Sequence, residues 1–172
     1  PLQFGAFTLQ RTTDDESNPE LQTPAIKIPV KILADIREPT ARKKWEERLR
    51  RRLDSASEIL EKTCGVRFET VAVETWDADT AIAGLQETLR EFEQEVNPAP
   101  GEIAIGFTSK LRAEPSCHWL GATRGVLHSH VLVREWHGAE TEVERLEVLV
   151  HELGHFLGAA HSAEPDSVMR PR

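Results

Sequence analysis

The chain has 172 residues, 39% of them hydrophobic and 29% charged, a balance that suits one globular domain and excludes a disordered chain. A formal net charge of −8 and a pI near 5.4 run against nucleic-acid binding, which favours basic surfaces. No apolar run is long enough to span a bilayer.

The chain opens at Pro1 without a secretory leader, which reads as a mature or excised form. Residues 1–25 are rich in Thr, Asp, Glu, Asn and Pro and read as an extended N-terminal segment. Leu2, Phe4, Phe7 and Leu9 could still pack on the body. Residues 26–172 read as one domain. Two cysteines, Cys64 and Cys117, permit one disulfide or two free thiols, and neither sits at a metal-ligand spacing. A disulfide would suit a secreted or extracytoplasmic protein, which is the location we expect, with a cytoplasmic one left open.

Ile26, Ile28, Val30 and Ile32 alternate, which predicts a half-buried strand. Pro29 has no N–H, so regular pairing is expected only after it. Pro39 and Thr40 open a long helix, with Trp45, Leu49, Ala56 and Leu60 at helical spacing and Gly65 as its stop. The basic run from Arg42 to Arg52, interleaved with Glu46 and Glu47, reads as a solvated face of that helix. Val66 to Val73 is a second strand. Ile82, Leu85, Leu89, Phe92 and Val96 form the stripe of a second helix, ended by Asn97 to Gly101, and Glu102 to Thr108 is a third strand. This order predicts a largely parallel sheet with crossover helices.

A loop over 112–119 leads to a short strand at Leu120 to Thr123 and a stronger one from Val126 to Arg134. Their closeness predicts an antiparallel pair at a sheet edge. His128 and His130, two apart on that strand, share a face and either bind a second metal or are polar residues on a solvated surface. His118 and His137 read as surface or loop residues, and Trp119 and Trp136 as core or cleft-shielding ones. Thr141-Glu-Val-Glu144 fits a capping box and starts a third helix over about 141–158. Val143, Leu146, Val150, Leu153 and Leu157 form its buried stripe, and Gly158 offers a left-handed stop.

His151-Glu-Leu-Gly-His155 on that helix is an HExxH pattern. Residues at i and i+4 lie one turn apart on one face, so both imidazoles can reach a single ion. Glu152 is rotated to one side of that face, where it can take a proton from water without being a ligand. Taken alone, the pair could also be two ordinary helix histidines. Gly158 and His161 change this, because a chain turned back at the glycine can bring His161 under the same ion as a third ligand. Gly154 costs helix propensity, about 1 kcal/mol against Ala, and a small residue there could let other backbone pack closely.

The string HELGHFLGAAH resembles the extended zinc motif of the metzincins, HExxHxxGxxH. The stretch from His161 to Pro171 is similar to the one that leads from the third ligand to the Met-turn in matrixins, and Met169 is the chain's single methionine. This resemblance implies an α/β zincin fold: a twisted, mostly parallel sheet with an antiparallel edge strand, two backing helices, an active-site helix and a short C-terminal subdomain. It also implies a monomeric zinc endopeptidase that hydrolyses internal bonds of a polypeptide. One catalytic Zn²⁺ would be held by His151, His155 and His161, with Glu152 as general base. Gly158 would turn the chain, and Met169, in a Met-turn at about 167–171, would form an apolar floor. Gly121, Ala122 and Thr123 are either the edge strand that pairs with an extended substrate or a plain structural strand.

The chain departs from its relatives in places. Astacins and serralysins carry a Tyr two residues after the Met; here Pro171 stands there and the chain has no Tyr. Matrixins have Met-Tyr-Pro where this chain has Met-Arg-Pro, and no Asp-rich calcium loop is visible. Metzincins continue past the Met-turn, so we expect either a reduced C-terminal subdomain or further chain beyond Arg172. Two other readings stand beside the endopeptidase: a catalytically silent zinc-binding or interaction domain, and a zinc hydrolase of non-peptide substrates.

Overall fold

A computed structural model describes residues 25–79, 81–82, 84–109, 120–135 and 141–171. The expected N-terminal segment up to residue 24, the 112–119 loop with Cys117, His118 and Trp119, and also Trp136 and His137 lie outside the described residues. The elements run β1 (Ile26–Asp35), α1 (Arg42–Cys64), β2 (Val66–Trp76), α2 (Leu85–Glu95), β3 (Ile103–Thr108), β4 (Gly121–Thr123), β5 (His130–Arg134) and α3 (Glu142–Phe156). They form one sheet in the order β2-β1-β3-β5-β4, parallel throughout except where β4 pairs antiparallel with β5 at the edge. The fold is therefore the α/β arrangement expected from the strand–helix order.

Alternation along the strands separates two cores. Ile103, Ile105 and Phe107 of β3 face the layer of α1 and α3, together with Val30 and Ile32 of β1 and Val131 and Val133 of β5. Ala104, Leu132, Ala122 and Leu33 face α2, whose Leu85, Leu89 and Phe92 cover that side. Gly106 is what lets α2 lie so close. A Cβ there would stand 2.9 Å from the ring of Phe92 and 3.0 Å from Leu132. Helix α2 starts at Leu85, so Ile82 lies in the turn before it and Val96 caps it.

Several boundaries differ from expectation for identifiable reasons. Pairing of β1 with β2 begins at Ile26 and continues through Pro29. β3 joins β1 only from Val30, so at Pro29 one side of β1 is an edge and a missing donor costs little. The register then slips: Val30 faces Thr70 but Lys31 faces Ala72, which leaves Val71 as a bulged residue, 54% exposed. Helix α1 starts at Arg42 because Thr40 is engaged by the Glu38 carboxylate through its hydroxyl and its N–H. It ends as expected at Gly65, which takes φ 70° and donates to Glu61 O at 2.9 Å. Cys64 is a free thiol that donates to Leu60 O at 3.1 Å, and burial pushes its pKa up. Strand β5 starts at His130 rather than Val126, because Gly125 (φ 98°) and Leu127 (φ 57°) turn the chain first.

The basic run of α1 is not wholly solvated. Arg52 stands one heptad after Trp45 and shares its buried stripe. Its side chain and that of Glu135 are each only 1% exposed, and its guanidinium donates to Glu135 and, at 3.0 Å, to Glu142 of α3. Burial works to lower the pKa of Arg52, but Glu135 and then Glu142 outweigh it and hold the pKa above the ordinary value. Arg48 Nη2 lies 3.2 Å from Glu38 and 3.4 Å from Glu135. These bonds tie α1 to the end of β5 and the start of α3. No helix among the described residues is long and apolar enough to cross a membrane.

Removing one partner of a buried pair strands the other. Arg52→Ala is expected to destabilise the protein by about 3 kcal/mol in urea unfolding, with Arg48 and Arg145 only partly compensating. A loss below about 1 kcal/mol would show that the pair is not the tie between these elements.

Candidate active site

Helix α3 starts on the expected capping box: Thr141 Oγ1 accepts from the Glu144 N–H at 3.2 Å, and the Thr141 N–H donates to Glu144 Oε2 at 2.6 Å. Its first turn lies at the surface, so Val143 is 63% exposed rather than part of the buried stripe. From Val148 to Gly154 every residue is buried, the polar His151 and Glu152 included.

The helix ends in a Schellman turn. Gly158 takes φ 95° and donates to His155 O at 3.0 Å, while Ala159 N–H reaches Gly154 O at 2.9 Å. The chain doubles back and places His161 beside the two helix histidines. His155 Nε2 stands 3.0 Å from His151 Nε2 and 3.1 Å from His161 Nε2. Among the described residues this is the one group of His, Cys, Asp or Glu arranged to hold a metal ion.

Backbone carbonyls orient two of the rings. His151 Nδ1 is 2.8 Å from Val168 O, and His155 Nδ1 is 2.8 Å from Ala159 O. A carbonyl only accepts, so each Nδ1 carries its proton and each Nε2 turns a lone pair inward. Lone pairs facing one another at this range repel unless a cation lies between them. Nitrogens around a tetrahedral zinc ion, at Zn–N of about 2.0–2.1 Å, stand about 3.3 Å apart, so the two separations that His155 makes are near those such an ion would set.

The turn at 167–170 braces the site from below. Arg170 N–H donates to Ser167 O at 3.2 Å, Met169 N–H to Ser167 Oγ at 3.1 Å, and Ser162 N–H to Met169 O at 2.9 Å. Arg170, where matrixins carry Tyr, donates to Pro165 O at 3.0 Å and so braces the same loop. Met169 is 5% exposed and lies under the helix at Gly154. A Cβ on Gly154 would stand 2.6 Å from Met169 Sδ and 3.2 Å from its Cε. The small residue thus makes room for a side chain, not for the backbone expected from the sequence.

Glu152 is 6% exposed, and burial alone pushes its carboxyl up to about 8. It lines a cavity of about 270 Å³ with the three histidines, Gly121, Ala122 and Thr123 of β4, and Val148. Pro171 of the Met-Arg-Pro stretch also borders it, as does Gln86 of α2, which no sequence signal marked. Gly121 lies directly against the Glu152 side chain. Ala122 is buried on the α2 side, and Thr123 donates to His130 O at 3.3 Å.

The second metal site considered for His128 and His130 does not form. His128 precedes β5 in a turn. His130 Nε2 donates to Val96 O at 2.7 Å, and its ring packs edge-on against Phe92 at 5.5 Å. His130 is a structural link between β5 and the end of α2.

Solved structures share this architecture. A chain from a chaperone–substrate complex superimposes with a TM-score of 0.62 at 12% identity, covering 82% of this chain and 27% of that one. This chain therefore spans about a quarter of that relative. Archaemetzincin from Methanopyrus kandleri superimposes with a TM-score of 0.60 at 18% identity, covering 88% of this chain and 83% of that one. No curated protein sequence matches the chain significantly. The matrixin family model matches residues 32–172, and the chain belongs to that family of zinc metallopeptidases.

Proposed function

We propose that the chain is an endopeptidase that holds one zinc ion on His151, His155 and His161 and uses Glu152 as its general base. The observation that supports this best is the convergence of three Nε2 atoms beside a buried carboxylate in one cleft. When bound, zinc supplies Lewis acidity, acidifying water and polarising the scissile carbonyl. Glu152 takes the proton from the attacking water and passes it to the leaving amine. Its burial suits both roles, because desolvation brings a carboxyl pKa toward the neutral range where a group can accept and then donate.

Edge strand β4 supports a polypeptide as substrate. Its inner side pairs with β5, and among the described residues no strand pairs with its outer side. An extended peptide laid along that edge would be held by its backbone, with its scissile bond beside the histidines. Met169 and the turn around it take the part of a Met-turn: an apolar floor that is not a ligand.

Glu152→Gln is expected to lower kcat/KM on an unfolded protein substrate by at least about 100-fold while zinc content stays at that of the wild type. Chelation should abolish cleavage, and added zinc should restore it. Undiminished cleavage by Glu152→Gln, or none by the zinc-loaded wild type, would overturn the reading. Gly154→Ala should act against propensity. The helix gains about 1 kcal/mol, but the forced shift of Met169 should leave a net loss of about 1–2 kcal/mol in urea unfolding. A net gain in stability would remove Met169 from its place under the helix.

A further inference from the structure

Gly121 is a glycine whose backbone does not require one. It lies in β4 with no positive φ, a conformation that any residue adopts. Glycine inside a strand weakens it, through lost chain entropy and a missing side chain. Space, not conformation, accounts for its presence. A Cβ built on Gly121 would stand 2.5 Å from Cγ and Oε1 of Glu152 and 2.7 Å from its Cδ. These atoms run along the side chain, so rotating the terminal carboxylate alone cannot relieve the overlap.

Neither backbone can easily retreat. Gly121 is paired with the buried Val133 of β5, and the neighbouring Leu120 carbonyl accepts from Arg134 N–H at 2.8 Å. Glu152 lies in the fully buried part of α3, between His151 and Leu153. A side chain at 121 would therefore drive the Glu152 carboxylate out of its position beside the histidines. We infer that Gly121 is a positioning residue: its bare Cα is the surface that sets where the Glu152 carboxylate sits. The inference rests on the reading of Glu152 as general base. It adds that β4 has two tasks, because the strand offered to the substrate on its edge also holds the base on its face. Scissile bond and base would then be referenced to the same three residues, with no independent movement between them.

The test uses zinc-loaded Gly121→Ala, Glu152→Ala and the double variant beside the wild type. Displacement of a base by about 1 Å can cost about 100-fold in rate. We therefore expect Gly121→Ala to keep full zinc content and a KM within about 3-fold, with kcat reduced at least about 30-fold. A rise in KM with kcat held would mean that Gly121 only admits the substrate backbone, and would overturn the inference. Thermal unfolding gives a readout that needs no activity. Gly121→Ala should lower Tm by about 4 °C when Glu152 is present and by less than about 1 °C when residue 152 is Ala. Equal losses in both backgrounds would overturn the inference. Should Gly121→Ala alone fail to fold, folding of the double variant would support the contact, and failure of both would count against it. If the wild type cleaves no polypeptide, the proposed function falls, while the unfolding cycle still decides whether Gly121 holds Glu152.

Discussion

One straight helix can offer two histidines to an ion, and no more. Positions i and i+4 share a face one turn apart, but the next such position lies about 12 Å from the first along the axis. A third nitrogen must come from chain that has turned back, and that reversal is the constraint on which the site depends. Gly158 provides it at φ 95°. An L-residue with a Cβ would meet steric strain there. The Schellman bonds that close the helix also deliver the Ala159 carbonyl to His155 Nδ1. The returning chain then docks through Ser162 on Met169 O, next to the Val168 carbonyl that orients His151. Ending the helix and aiming the histidines are therefore one event.

Three further glycines act by what they leave empty. Gly106 lets Phe92 of α2 lie on the sheet, Gly154 lets Met169 lie under the active-site helix, and Gly121 lets Glu152 lie under the edge strand. Each is a place where a side chain from one layer enters another. Together they explain how helices on both faces of a single sheet can approach one small cleft. Close packing of this kind has little slack, because interiors are packed like molecular crystals. Added volume at these points must appear elsewhere as displaced side chains.

Much of the architecture was legible in the sequence, because it is written in local patterns. Alternation in 26–32, the stripe from Trp45 to Leu60, and the Thr141–Glu144 box each depend on neighbours a few residues apart. Gly158 and the spacing to His161 are local as well. Contacts between distant segments were not legible. Arg52 looked like one of several surface cations, yet its partner Glu135 lies 83 residues away. The heptad spacing from Trp45 was the signal that could have placed it inside. His130 looks available for a metal in the sequence, but its Nε2–H donates to the Val96 carbonyl, 34 residues back. Pro29 suggests that regular pairing begins only after it, because the sequence does not say how far β3 extends along β1. Gly121 showed only that the edge strand was small; that its space belongs to Glu152 depends on α3, some thirty positions later.

Glu152 bears most directly on what the domain does with an ion. Burying a carboxyl disfavours its ionised form, and here burial pushes the pKa to about 8. A domain that only folded around a metal would gain nothing from this arrangement. Three histidines already supply the ligands, and an apolar residue at 152 would avoid the desolvation. The carboxyl is instead placed against the cleft, in space that Gly121 leaves open at the expense of strand stability. Two unfavourable choices, a buried acid and a glycine in a strand, thus converge on one point a residue away from His151. The proposed role of Glu152 as general base accounts for this local cost at the cleft, which folding around a metal alone does not.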